Sequence, residues 1–149
     1  MMIQDNTSFA ETVKTTLAKI NQDLPKDTIL NMLDLHYQAS SWQEQSITLQ
    51  TDVKMWQMNP NGVLHGGIMA TLFDSAFGIL IRSICIDAMI STIGLSVSYL
   101  RPVQNSTQLS INVQMKYLGG TIMHVRGEAF DGTVLVATSD ASFIKMKKK

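Results

Sequence analysis

The residues of this chain best suited to chemistry lie in one stretch, Asn59 to Arg82, which contains Asn59, a His65-Gly66-Gly67 triplet and Asp74 nine positions after the histidine. The stretch carries both an acid and a run of backbone donors. Glycines that open a helix leave N–H groups without partners and present the positive end of the helix dipole, an end that suits a developing negative charge. Asp74 supplies the other half of a possible acid–base site, because a carboxylate among apolar neighbours needs partners or its pKa moves. Ser75 follows it, but no G-x-S-x-G pattern accompanies that serine. His36 and His124 lack companions at metal-ligand spacing, so neither a metal nor another cofactor is expected.

The elements that must position these residues are readable from periodicity. Asn59-Pro60 and Asn61-Gly62 are turn dipeptides, and Gly66-Gly67 permits either φ > 0 or a close approach that a side chain would block. Behind them Ile68, Met69, Leu72, Phe73, Ala76, Phe77, Ile79, Leu80, Ile81 and Ile84 cover most of a helix circumference. That helix should be largely buried. Thr71, Asp74, Ser75, Gly78 and Arg82 share one narrow polar stripe on it.

Upstream, residues 8–21 form an amphipathic accessory helix, with Phe9, Val13, Leu17 and Ile20 on one face and a capping box of Ser8 and Glu11. Pro25 ends it, residues 29–39 read either as a helical turn or as a first strand, and Ser46 to Val53 alternates as a half-buried strand. Downstream the period changes to two, first with Ile93, Leu95, Val97 and Tyr99 up to Pro102, then with Leu109, Ile111, Val113, Met115 and Tyr117. Gly119-Gly120 and Asp131-Gly132 are hairpin turns joining the second of these strands to residues 121–130 and those to residues 133–146. Four strands follow the helix, and an antiparallel sheet must bury one face on something. The central helix is the obvious filler. The length of 149 residues fits one domain, with its core over about 33–146.

Composition narrows the function. A formal net charge of zero and a pI near 6.8 give no footprint for a nucleic-acid backbone. Cys85 is the single cysteine and reads as packing between Ile84 and Ile86, suited to a reducing compartment. The start of the chain lacks the basic and apolar regions of a secretory signal, and Asp74 and Arg82 interrupt the apolar runs short of a bilayer span. A soluble, cytoplasmic protein is expected.

The pattern N-x-x-G-x-x-H-G-G with an acid nine residues after the His resembles the hotdog-fold acyl-CoA thioesterases, in particular the phenylacetyl-CoA-type (PaaI-like) branch. The following segment, Ser91 to Pro102, is similar to the family's next strand, and the likeness extends over roughly residues 33–146. It implies an α+β hotdog fold, an antiparallel sheet wrapped around one long helix, and hydrolysis of an aromatic or fatty acyl-CoA. The alternative is a non-catalytic hotdog module that holds or senses acyl-CoA; a hydratase would need a different Asp and His arrangement. Six of the ten methionines, Met55, Met58, Met69, Met89, Met115 and Met123, could line an adaptable acyl pocket or simply fill the core. The basic end, Lys145 to Lys149, could touch CoA phosphates but reads better as a solvated tail.

Thioester hydrolysis needs oxyanion donors and a base or nucleophile about one carbonyl. The N–H of Gly66, joined by that of Gly67, could polarise the carbonyl, while Asp74 either takes a proton from water or attacks directly to give an anhydride. At 1.5 Å per residue, Gly66 and Asp74 lie about 12 Å apart along one helix. They cannot serve one carbonyl within a single subunit, so a shared role requires an obligate two-fold homodimer with composite sites. The resemblance implies the same arrangement, often as a dimer of dimers. It also places Asn59 and His65 beside the carbonyl and water, and Thr92 where a Ser or Thr orients the nucleophile. Strict alternation puts Thr92 on the face opposite Ile93, Leu95 and Val97, so a bulge or the strand's start is required there. Gly67, Tyr99 and Arg101 are the candidate substrate contacts, although Tyr99 and Arg101 read equally as a core aromatic and a surface cation. His65 could merely cap the helix.

Overall fold

The computed structural model describes residues 5–146, so the reading of the first four residues and the Lys147–Lys149 tail lie outside the described residues. Helix α1 (Asn6–Asp23) leads to a single helical turn α2 (Ile29–Leu33) and strands β1 (His36–Ser41) and β2 (Ser46–Asp52). Then come a 3₁₀ turn (Met55–Gln57), the long helix α3 (Gly66–Ile84), and strands β3 (Met89–Tyr99), β4 (Gln108–Leu118), β5 (Ile122–Asp131) and β6 (Val134–Met146). The ambiguous stretch after Pro25 is thus both things in turn, helix and then strand.

The N-terminal helix is capped one turn earlier than Ser8 and Glu11 suggest. Asp5 is the N-cap: its carboxylate accepts the Ser8 N–H at 2.8 Å, and Ser8 Oγ accepts the Asp5 N–H at 3.3 Å. Asp is as good a cap as Ser, and starting at Asp5 adds a turn of helix without losing the buried face of Phe9, Val13 and Leu17. The bond from Ser8 holds the Asp5 carboxyl below its ordinary value.

The six strands form one antiparallel sheet in the order β1-β2-β4-β5-β6-β3. Strands β4, β5 and β6 follow one another through the two hairpins, with Gly132 at φ +59° in the second. Strand β3 instead crosses to the far edge and pairs only with β6. The sheet curls around α3, whose Phe73 stacks with Phe77 at 6.0 Å while Phe77 meets Phe143 edge-on at 6.3 Å. Gly127 in β5 makes that seat possible: a Cβ there would stand 2.8 Å from the Phe73 ring.

Two sequence readings need correction. Helix α3, at 19 residues and mean hydropathy 1.4, is long and apolar enough to cross a bilayer despite Asp74 and Arg82; 61% of that apolar window is buried inside the protein. Strand β3, whose alternation sets Ile93, Leu95, Val97 and Tyr99 apart as one apolar set, is mostly exposed, with Ile93 at 55% and Leu95 at 37%. As an edge strand it has a partner on one side only, and of its apolar residues Ile90 and Val97 are the ones packed against the core.

Candidate active site

The loop before α3 is held by its own backbone and by Asn59. Asn59 Oδ1 accepts the N–H groups of Asn61 at 3.0 Å and Val63 at 3.2 Å, and the Asn59 N–H donates to Val63 O at 2.8 Å. The left-handed residue of this loop is Gly62 at φ +75°, not either glycine of the triplet. Two outer bonds fix the exit: Leu64 N–H to Val103 O at 2.8 Å and His65 N–H to Gln57 O at 2.9 Å.

Gly66 and Gly67 are glycines for the other reason, close approach. A Cβ on Gly66 would lie 3.2 Å from the Tyr99 ring, and one on Gly67 would lie 3.1 Å from His65 Nδ1. The peptide between them is gripped at both poles. Tyr99 donates its hydroxyl to Gly66 O at 2.7 Å, and His65 Nδ1, the N-cap of α3, accepts the Gly67 N–H at 2.9 Å. The capping reading of His65 therefore holds, and the Gly67 N–H is committed to it. Among the described residues nothing accepts the Gly66 N–H, so one donor, not a pair, stands ready at this helix end.

Asp74 lies two turns further along, half-buried, on the polar stripe. Thr92 Oγ1 donates to Asp74 Oδ1 at 2.7 Å. That contact needs the irregularity demanded by alternation, and β3 has it: the register with β6 shifts between Thr92 and Gly94. The bulge turns Thr92 onto the helix side while Leu95 and Val97 keep their phase. Thr71 donates to Gly67 O at 2.8 Å on the same side of the helix.

The eight residues singled out in the sequence do not meet at one point. Asn59, Gly66, Tyr99 and Arg101 line a cavity of about 350 Å³ at the start of α3. Asp74 and Thr92 line a second of about 380 Å³, together with Thr71, Ser75, Gly78 and Arg82. His65 and Gly67 stand at the turn beside the first cavity and line neither. Arg101 donates to Leu135 O at 2.9 Å from an exposed position. The four added residues of the second cavity were visible as the polar stripe of the helix; what sequence could not give was the apolar wall facing them, built from α2, β3 and Phe143. Of the six methionines, Met69 alone lines either cavity, whereas Met115 and Met123 are buried core and Met55 and Met89 are exposed.

Elsewhere, His36 pairs with Asp34 at 3.0 Å and His124 Nδ1 meets Ser142 Oγ at 2.7 Å. Among the described residues no three His, Cys, Asp or Glu side chains gather to hold a metal ion. Cys85 is half-buried against the core.

Comparison with known proteins locates this geometry. The family described as the thioesterase superfamily matches residues 61–138, just over half of the chain. A Halobacterium salinarum protein, provisionally named an esterase, is 33% identical over 98 residues; the match covers 63% of this chain, which spans 64% of that relative's length. Among solved structures, a phenylacetic acid degradation-related protein from Ralstonia eutropha superposes with TM-score 0.76 at 24% identity, over 87% of this chain and 98% of its own. The PaaI protein of E. coli gives 0.75 at 15% identity, over 92% and 98%. Zebra fish thioesterase superfamily member 2 gives 0.78 at 18% identity, over 92% and 98%. These likenesses establish the fold, the hotdog arrangement of sheet and central helix.

Proposed function

The chain belongs to the thioesterase superfamily, and from that premise we propose that it is an acyl-CoA thioesterase of the PaaI-like kind, hydrolysing an aromatic or fatty acyl-CoA to the free acid and CoA. The observation that carries this reading is the Asp74 carboxylate, oriented by Thr92 and opening onto its own cavity. Thr92 engages Oδ1 and leaves Oδ2 for chemistry. In one route Oδ2 takes a proton from water, the hydroxide bonds to the carbonyl carbon, the C–S bond breaks, and the proton passes to the leaving thiolate. In the other, Oδ2 itself bonds to the carbon as C–S breaks, and water then cleaves the anhydride.

The oxygen of the reacting carbonyl is received by the Gly66 N–H of a second copy. Three features support a composite site. The two candidate groups line separate cavities about 12 Å apart along α3. Strand β3 is a long edge with an open row of backbone groups and exposed Ile93 and Leu95. That strand is also tied to both half-sites, to Asp74 through Thr92 near its start and to Gly66 through Tyr99 at its end. Antiparallel pairing of two β3 strands about a two-fold axis near the middle of the strand brings the Thr92 end of each towards the Tyr99 end of the other. Asp74 then faces the glycine turn across the interface. A dimer of dimers remains compatible with this unit.

The test is release of free thiol from a graded series of acyl-CoA esters. Wild type should turn over at least one of them, and Asp74→Asn should lose about 10²- to 10⁴-fold in kcat with its melting temperature unchanged. Tight binding without turnover across the series would make the protein a holder of acyl-CoA instead.

A further inference from the structure

The cavity that holds Asp74 ends on a cation. The Arg82 backbone lies eight residues, about 12 Å, beyond Asp74 on the same helix stripe, its guanidinium reaching back to the level of Gly78, about 6 Å along the axis from the acid. The space between them is walled by Ile79, Ile90 and Phe143. Gly78 lets the guanidinium lie back along the helix, because a Cβ at that position would stand 3.2 Å from Arg82 Nη1. Arg82, exposed to solvent, also borders a larger space of about 540 Å³ between α1 and the loop into β3. Among the described residues it makes neither an ion pair nor a hydrogen bond, and Asp87, which borders the same larger space, is not within ion-pair distance of it. A cation in the last turn of a helix is favoured by the dipole. The dipole does not call for a glycine beneath the guanidinium or an apolar corridor leading to it.

We infer that Arg82 is a specificity-determining residue that reads the far end of the acyl group, favouring acyl chains that carry a terminal carboxylate over methyl-ended chains of the same length. The inference rests on the thioesterase reading: with the thioester carbon at Asp74, an acyl chain laid along the apolar corridor brings its last atoms to the guanidinium. A carboxylate there forms a charge-assisted, bidentate pair. A methyl end of the same reach strips water from the guanidinium and returns nothing. The anion belongs to the acyl end and not to the nucleotide of CoA, since the corridor's walls suit a hydrocarbon and phosphates are better met at the rim, where Arg101 stands exposed.

The experiment compares paired CoA thioesters of equal chain length, one ending in a carboxylate and one in a methyl group, with wild type, Arg82→Ala and Arg82→Lys. In wild type kcat/KM should favour the carboxylate-ended member; the ratio should fall about tenfold in Arg82→Ala and less in Arg82→Lys. Turnover of methyl-ended esters should hold or rise. An unchanged ratio overturns the inference. So does an equal loss on both esters that disappears with dephospho-CoA thioesters, which would assign the guanidinium to the nucleotide. Should wild type release no thiol from any ester, the thioesterase reading fails separately, and calorimetric binding of the corresponding thioether analogues still decides whether Arg82 discriminates the two ends.

Discussion

At the scale of single residues, the site is a set of hydrogen bonds that fix which atoms are left over for chemistry. Thr92 spends its hydroxyl on Asp74 Oδ1, so Oδ2 is the free oxygen; His65 takes the Gly67 N–H, so Gly66 keeps the free donor. Thr92→Val keeps the shape of the side chain and removes only the bond. We predict that kcat falls about tenfold or more while KM and the melting temperature stay close to wild type, and that Thr92→Ser restores most of the loss. A fall in melting temperature matching the fall in rate would instead make Thr92 a strand residue of no chemical consequence. The acid and the turn were legible because residue type alone carries them, an Asp at fixed distance from His-Gly-Gly. That His65 caps the helix was one of two readings the sequence left open, and which of the two donors the cap consumes depends on the orientation of the ring, which no spacing encodes.

At the scale of elements, the buried helix and the sheet meet through a small number of shape-matched contacts, and Gly127 is the plainest. Its missing side chain is the space that Phe73 occupies, with the Phe77 ring a further 3.1 Å neighbour to any Cβ. We predict that Gly127→Ala destabilises by about 1–3 kcal/mol in urea unfolding, and that adding Phe73→Leu recovers part of that cost, because the two positions share one volume. Additive losses in the double variant would show that the strand, not the ring, resists the methyl group. Periodicity revealed α3 and the β4-β5-β6 meander because each depends on local pattern and turn chemistry. It could not reveal that β3 pairs with β6 at the far edge, since that choice is made by long-range packing. The N-cap shows the same limit in miniature: Ser8 and Asp5 both carry the right chemistry, and the helix starts at Asp5 with Ser8 closing the capping box.

At the scale of the whole molecule, one chain carries the Gly66 cavity and the Asp74 cavity at opposite ends of β3, and an edge strand with apolar side chains facing solvent joins them. The arrangement makes sense if the working unit is two-fold, and this can be tested without knowing the natural substrate. Asp74→Asn removes the acid from each site and Gly66→Val blocks the donor by pressing on the Tyr99 ring; each homodimer should be nearly inactive. When the two variants are unfolded together and refolded at equal ratio, half of the dimers should be mixed, and each mixed dimer pairs one intact acid with one intact donor. We predict recovery of about a quarter of wild-type activity, the share expected for one working site in half of the dimers. Placing Ile93→Lys on both chains, which sets charges on the shared edge, should abolish that recovery together with the dimer itself in sedimentation. Mixed dimers that form, as shown by differential tagging, yet stay as inactive as their parents would mean that both groups serve the same subunit or that one of them serves none.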